Sequence, residues 1–419
     1  MTDQHPWPVE QIRQQFPALS RYIDDRPAVF LDGPAGSQVP QRVADAVSEY
    51  LLHTNANHGG TFATARESDE ILDAAHQTFA DFLGAADPTE ICFGANMTTL
   101  TFQVSRALSR DWQEGQEIVV CRGDHDANFT PWVLAAQDAG VAVRYIELNP
   151  TDTTLNLDSL RSSLSAKTRL VAVGLAGNAT GTIYPVADIT QMAHAAGALV
   201  YVDAVHFAPH GPIDVQQLDC DFLVCSAYKF FGPHVGILWG RRTLLEEVRP
   251  YKLRPSPDTL PGRWMTGTQC HEGIAGAAAA VDYLASMADP AEISSESNRP
   301  ARLAAAWRRI VAYEQTLSAR MLSGLQDIPG LSVCGIRSLD RLPERVPTVS
   351  FTVDRLQPAE LARHLANEGI FVWGGNHYAQ PVTEACGLEP TGTLRMGALH
   401  YTTFDEIDRA TNAVRRLVE

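Results

Sequence analysis

The chain has 419 residues, is 45% apolar, and carries a formal charge of −16 with a sequence pI near 5.2. Its length allows two or three domains, and its apolar share is that of a globular protein with a sizeable core. The acidic excess argues against nucleic acid or an anionic membrane surface as a partner.

The polar opening, MTDQHPWPVEQIRQQF, predicts no secretory leader. Helical periodicity follows over 41–54, with Pro40 preset as a first-turn residue, and over 66–84, where Ile71, Ala75, Phe79, Phe82 and Leu83 form one apolar stripe. Short apolar runs then alternate with helical patterns, giving strands at 90–93, 117–121, 141–146, 169–175 and 198–202. The longest uncharged run, Leu170 to Ala187, is broken by Gly174, Gly177, Asn178, Gly181 and Pro185, so it reads as strand and turn rather than a membrane span. Two further strands are expected at 222–225 and from Gly236. An Ala-rich helix covers 270–287, a polar hinge lies at 294–300, and a long helix over 301–327 leads to strands near 347–353 and 393–398. Such alternation predicts an α/β fold whose mostly parallel sheet is covered by helices on both faces. The expected division is an N-terminal segment 1–25 packing with the small domain, a large domain 26–295, and a small α+β domain 296–419. Seven cysteines without framework or CxxC spacing predict reduced thiols, no metal site and a cytoplasmic location.

The stretch 198–240 carries the chemistry. One apolar run ends on Asp203; the next ends on Ser226 and continues through Ala227 and Tyr228 to Lys229. In an open α/β sheet, ligands sit beyond the carboxyl ends of the strands, so a carboxylate and an amine 26 positions apart face one crevice. An ordinary ion pair is the simpler reading. Against it, Lys229 is followed by Phe230-Phe231-Gly232-Pro233 rather than a solvated face, and buried lysines are rare unless paired or functional. Pyridoxal 5′-phosphate enzymes need this pair: the lysine forms the Schiff base, and the aspartate keeps the pyridine nitrogen protonated. Two more features point the same way. Gly94-Ala95-Asn96-Met97 follows a strand and opens a helix, whose free N–H groups suit a phosphate. Asn178 follows the strand 169–175 at the same sheet edge.

Asp203-Ala204-Val205-His206 and Ser226-Ala227-Tyr228-Lys229-Phe230-Phe231-Gly232-Pro233 resemble the D-x-A-Q and S-x-H-K-x-x-G-P segments of class V, fold-type I aminotransferase-like enzymes, in particular the group II cysteine desulfurases and selenocysteine lyases. The resemblance runs over nearly the whole chain. It implies a large cofactor domain built on a seven-stranded type of sheet, a smaller C-terminal domain, bound pyridoxal 5′-phosphate and a homodimer.

The same resemblance assigns residues. Ala95 and Asn96 stand where the family's turn binds the cofactor phosphate. His125, in Asp124-His125-Asp126-Ala127-Asn128 with Pro131 and Trp132 after it, stacks on the pyridine face. Asn178 donates to the ring hydroxyl oxygen, and His206, replacing the usual glutamine, approaches the same atom. Ser226 donates to phosphate; Tyr228, replacing a histidine, either does likewise or only packs. Thr268, in a turn after Trp264, reaches the partner subunit's phosphate. Arg395, between Leu394 and Met396, holds the substrate carboxylate. His58 matches an H-R-G segment only in part, since Gly59 stands for the arginine.

The main departure lies in Trp373-Gly374-Gly375-Asn376-His377-Tyr378-Ala379. The family has R-x-G-x-x-C-A there, and its cysteine carries a persulfide; this chain has Tyr378, with His377 beside it in the substrate region. Cys386, eight residues later, reads as a spectator thiol, so a sulfur-acceptor protein is an unsupported partner. The expected reaction on an amino-acid substrate is β-elimination with C–S cleavage, with Lys229, Asp203, His125 and Tyr378 as the catalytic set. Epimerisation or transamination is the alternative within catalysis, and a cofactor-binding regulator or inactive scaffold the alternative outside it.

Overall fold

The computed structural model describes residues 7–419. Two main β-sheets and their helices form most of the described chain. In the larger sheet, seven strands take the order β1-β7-β6-β5-β4-β2-β3. They are β1 (Ile91–Gly94), β2 (Glu117–Cys121), β3 (Ala142–Ile146), β4 (Thr168–Gly174), β5 (Leu199–Asp203), β6 (Phe222–Ser226) and β7 (Gly236–Gly240). β7 runs antiparallel to both neighbours, and the pairs among β2 to β6 are parallel. Runs such as Val119-Val120-Cys121 and Val171-Ala172-Val173 are buried on both faces, as strands sandwiched between helix layers must be.

The helices α1 (Gln41–Glu49), α2 (Ala63–Leu83), α3 (Met97–Ser109), α4 (Thr130–Ala139) and α5 (His271–Ala285) belong to this unit. The predicted helix 41–54 is α-helical only to Glu49 and continues as a π-turn, Tyr50–Thr54. The Tyr50 hydroxyl explains where the turn is held: it lies 2.7 Å from Ser68 Oγ and 3.0 Å from His271 Nδ1. Pro40 is extended and stands before the first helical residue rather than within the first turn.

A 28-residue helix, α6 (Arg299–Gln326), capped by Asn298 with Pro300 in its first turn, leads into the second sheet. That sheet is antiparallel, in the order β8-β9-β11-β10: β8 (Leu331–Cys334), β9 (Thr348–Val353), β10 (Trp373–Gly375) and β11 (Thr393–Gly397). α7 (Phe404–Val418) begins with a reciprocal capping box between Thr403 and Glu406. Val29 and Leu31 share a core with Leu317, Val349, Phe351 and Met396, and a short strand at Val29–Phe30 pairs with Ile370–Phe371. Trp7 stacks on Tyr313 and donates to the His400 carbonyl, while Arg13 pairs with Glu406. Residues 1–6 of the expected N-terminal segment lie outside the described residues. No helix among the described residues is long and apolar enough to cross a membrane.

Candidate active site

The carboxyl ends of β1, β2, β4, β5 and β6 converge on a cavity of about 710 Å³. Asn96, His125, Asn178, Asp203, His206, Ser226, Tyr228 and Lys229 all line it. Parallel strands ending at one edge bring these residues together from across 134 positions of sequence.

Asp203 ends β5 and Lys229 ends the short turn after β6. Asp203 Oδ1 accepts from Val205 N at 2.8 Å. Burial lifts its carboxyl to about 6, opposed by that N–H and by Lys229. Lys229 is buried; its Nζ donates to the Pro34 carbonyl and lies 5.2 Å from the Tyr228 ring centroid. Burial lowers its ammonium to about 7, and the Arg395 charge adds to the effect while Asp203 opposes it. At neutral pH the acid is thus mostly ionised while a large share of the amine is free to act as a nucleophile.

At the other end of the cavity, Asn96 caps α3 by accepting from Thr99 N at 2.9 Å. Ser226 Oγ accepts from Met97 N at 2.9 Å, so its own hydrogen is free to donate. The Thr98 N–H, next along the turn, has no backbone or side-chain acceptor among the described residues. A Cβ at Gly236 would meet the Asn96 backbone at 2.5 Å, so only glycine lets β7 pass this close. Tyr228 stacks on His234, centroids 5.0 Å apart and planes 9° apart, and both rings line the cavity.

His125 Nδ1 accepts from Ala127 N at 3.0 Å, and burial lowers its pKa to about 4, with Lys229 and Arg395 adding to the shift. The ring is therefore neutral, with its proton on Nε2. Asn178 Nδ2 donates to the His377 carbonyl at 2.8 Å, which leaves its buried Oδ1 without a partner. The loop holds one Nδ2 hydrogen, and the second remains able to donate. Arg395, on β11, is buried and donates to the Asn178 carbonyl at 2.8 Å. His377 Nε2 lies 3.0 Å from Thr393 Oγ1.

Tyr378 is 74% exposed, yet its ring stacks on His125 at 5.5 Å and 18°, and its carbonyl accepts from Asp126 N at 2.6 Å. Both His377 and Tyr378 have positive φ, 58° and 56°, a conformation that non-glycine residues adopt at a cost.

Of the expected residues, Arg395, His377 and Tyr378 do not line the cavity themselves but contact Asn178 and His125, which do; Ala95 and His58 are also absent from the lining, and Thr268 was expected at the partner subunit's site. Ala95 is exposed, because the cap falls on Asn96 and turns Ala95 outward. His58 is exposed and meets His271 edge-on at 6.1 Å. Thr268 is exposed in its turn. Residues missed by the sequence reading also appear. Asp124 accepts from Gly174 N and from Asn128 Nδ2, at 2.8 and 2.7 Å, directly below His125 in sequence. Burial, with the Asp203 charge, raises it to about 8, so it is held as an acid. His234 follows the Gly-Pro turn and was visible only as a lone histidine. Neither carried a spacing signal.

The residues suit pyridoxal 5′-phosphate: a buried carboxylate for a pyridinium, a lysine amine, a helix N-terminus with a serine hydroxyl for phosphate, and Asn178 in the lining with a second Nδ2 hydrogen to donate to a ring oxygen.

Comparison with known proteins agrees. The model of the aminotransferase class-V family matches residues 29–410. A cysteine desulfurase of Serratia proteamaculans is 30% identical over 426 residues, covering 98% of each chain. One from Synechococcus elongatus is 31% identical over 98% of this chain, which spans 63% of that relative's length. Among solved structures, the apo cysteine desulfurase of Thermococcus onnurineus superposes with a TM-score of 0.87 at 26% identity, covering 98% of both chains. Escherichia coli cysteine desulfurase CsdA gives 0.82 at 29% identity, covering 97% of this chain and 98% of its own. The chain therefore belongs to the aminotransferase class-V family and is a pyridoxal 5′-phosphate-dependent enzyme of fold type I.

Proposed function

We propose that the enzyme acts on a cysteine derivative and cleaves its C–S bond by β-elimination, without carrying sulfur as a protein persulfide. The observation that supports the second half is the Tyr378–His125 stack. The loop position expected to hold a thiol holds a phenol, packed on the histidine that faces the cavity. Cys386 is a poor substitute, since burial pushes its thiol up and away from the thiolate that sulfur transfer requires. The first half rests on kinship with cysteine desulfurases.

When bound, the cofactor supplies an electron sink for the substrate α-carbon. Asp203 would hold the pyridine nitrogen protonated. Ser226, Asn96 and the Thr98 N–H would hold the phosphate, and His125 would cover one ring face. Arg395, hydrogen-bonded to the Asn178 carbonyl, would pair with the substrate carboxylate through its planar fork. Lys229 Nζ, with its ammonium lowered to about 7 and so about half neutral at pH 7, would take the α-proton. The Tyr378 hydroxyl would protonate the departing sulfur, which leaves as sulfide or thiol, and water hydrolyses the remaining enamine, through its imine, to an oxo acid and ammonia. We further propose a homodimer in which Thr268 contacts the partner's phosphate.

The test is to incubate the purified, yellow enzyme with cysteine, selenocysteine, cystathionine-like thioethers and simple amino acids. Sulfide or thiol with pyruvate and ammonia is the expected result. Keto acid with an aminated cofactor would indicate a transaminase, and an inverted α-centre an epimerase. Sulfane sulfur on Cys386 after turnover, with loss of activity in Cys386→Ala, would overturn the no-persulfide claim.

A further inference from the structure

His206 lines the cavity beside Asp203 and Lys229, and its Nε2 lies 3.1 Å from Oγ1 of Thr348. Thr348 opens β9 of the small sheet and is fully buried. A hydroxyl has one hydrogen, and a buried one needs an acceptor. Among the described residues, His206 Nε2 is the only hydrogen-bond partner of Thr348 Oγ1. If Nε2 carried the ring proton, it would donate to Oγ1 and leave the hydroxyl hydrogen with nowhere to go. A doubly protonated ring would do the same. The arrangement is satisfied in one way: Oγ1–H donates to Nε2, and the ring proton sits on Nδ1. That second nitrogen has no protein partner among the described residues.

The surroundings keep the ring uncharged. Burial disfavours a second proton most, His210 meets the ring edge-on at 5.7 Å, and the charges of His210, Lys229 and Arg395 act in the same direction. The nearby acid on α6, Glu314, is committed to His210, with Oε2 2.8 Å from its Nδ1.

We propose that Thr348 is a positioning residue: by donating to Nε2 it fixes His206 as the neutral Nδ1–H tautomer, which presents that N–H to the ring oxygen of the cofactor. The proposal rests on the cofactor reading above. It assigns to the C-terminal sheet a role in the cofactor's electronics. Thr348 pairs with Gly397 in the register that pairs Ser350 with Arg395, so the strand that fixes the tautomer is hydrogen-bonded to the strand carrying the carboxylate-binding arginine.

The test uses holoenzyme labelled with ¹⁵N-histidine, read by two-bond proton–nitrogen correlation at neutral pH. His206→Gln identifies the signal by its loss. The expected pattern is a protonated Nδ1 and a bare Nε2. Thr348→Val, equal in shape but without the hydroxyl, should move proton density to Nε2 and shift the visible absorption of the bound cofactor; Thr348→Ser should restore both. A wild-type His206 protonated on Nε2 alone, or on both nitrogens, overturns the proposal. So does a folded Thr348→Val variant in which tautomer and absorption are both unchanged. If Thr348→Val does not fold, the wild-type pattern decides alone. Failure of the cofactor reading is distinct: no visible absorption and no borohydride-fixed adduct on Lys229 would mark it, while the tautomer would still be read on the unloaded chain.

Discussion

At the residue scale, Lys229, the residue proposed to hold the cofactor, costs the unloaded fold stability. Its folded pKa is about 7 against 10.5 in the unfolded chain. Between those values the unfolded state binds the extra proton, so stability rises with pH across that window and levels off above it. Below about pH 7 the full penalty applies, at most ~5 kcal/mol. Unfolding of the unloaded protein by urea should therefore show the wild type gaining on Lys229→Met between pH 7 and 10.5. Parallel profiles would show that the amine is not desolvated. Asp203 acts in the opposite direction and lower window: raised to about 6 from 3.8, it loses folded-state stability as pH climbs between those values.

Two substitutions separate the proposed roles of site residues. Arg395→Lys keeps charge but loses the planar fork, and should raise KM about tenfold or more with the cofactor spectrum preserved. An unchanged KM would place the substrate carboxylate elsewhere. Tyr378→Phe keeps the stack on His125 and removes the hydroxyl. A fall in kcat of about 100-fold is expected of a lost general acid, whereas near-normal turnover would reduce Tyr378 to a packing residue.

At the scale of elements, the start of α3 is where the fold and the proposed phosphate site meet. Asn96 satisfies the Thr99 N–H, and Ser226 reaches from β6 to satisfy the Met97 N–H. Asn96→Ala should cost about 1 kcal/mol of stability as a lost cap. It should also weaken cofactor binding, because the free N–H at Thr98 is no longer held in place. Titration of the unloaded variant with pyridoxal 5′-phosphate reads the second effect; full affinity would show that the turn does not grip the phosphate. The strands of the large sheet were legible to within a residue or two, because each is a short apolar run stopped by a turn residue. The ends of helices were less so. The helix read over 41–54 changes to a π-turn at Tyr50, a tertiary effect of a hydroxyl held by Ser68 and His271. The cap at Asn96 likewise turned Ala95 away, although the two are adjacent in the motif.

At the scale of the molecule, five of the eleven exposed large apolar side chains among the described residues lie in two segments, Leu51, Leu52 and Phe62 in one and Tyr251 and Leu253 in the other. Contact between His58 and His271, together with the exposed Thr268 nearby in sequence, is consistent with a shared face for a second subunit. Light scattering should return twice the 45.7 kDa chain mass, and Thr268→Val should lower cofactor affinity without changing that mass. A fully active monomer would sink both expectations.

What the sequence by itself determined is the set of residues that local rules place at strand ends: Asp203, Ser226 and Lys229 follow apolar runs, and such ends of a parallel sheet share one edge. Resemblance extended that set to His125, Asn178, His206 and Arg395, which depend on motifs rather than period. Only the tertiary structure decided how distant segments complete the site. Asn178 meets His377 across 199 positions, Arg395 meets the Asn178 carbonyl across 217, and His206 meets Thr348 across 142. Tyr378 comes to rest on His125 through a loop with two consecutive positive φ values. No local pattern encodes such pairs: a hydrogen bond or ring stack depends on where two separately formed sheets pack, and that packing is set by the burial of both cores together.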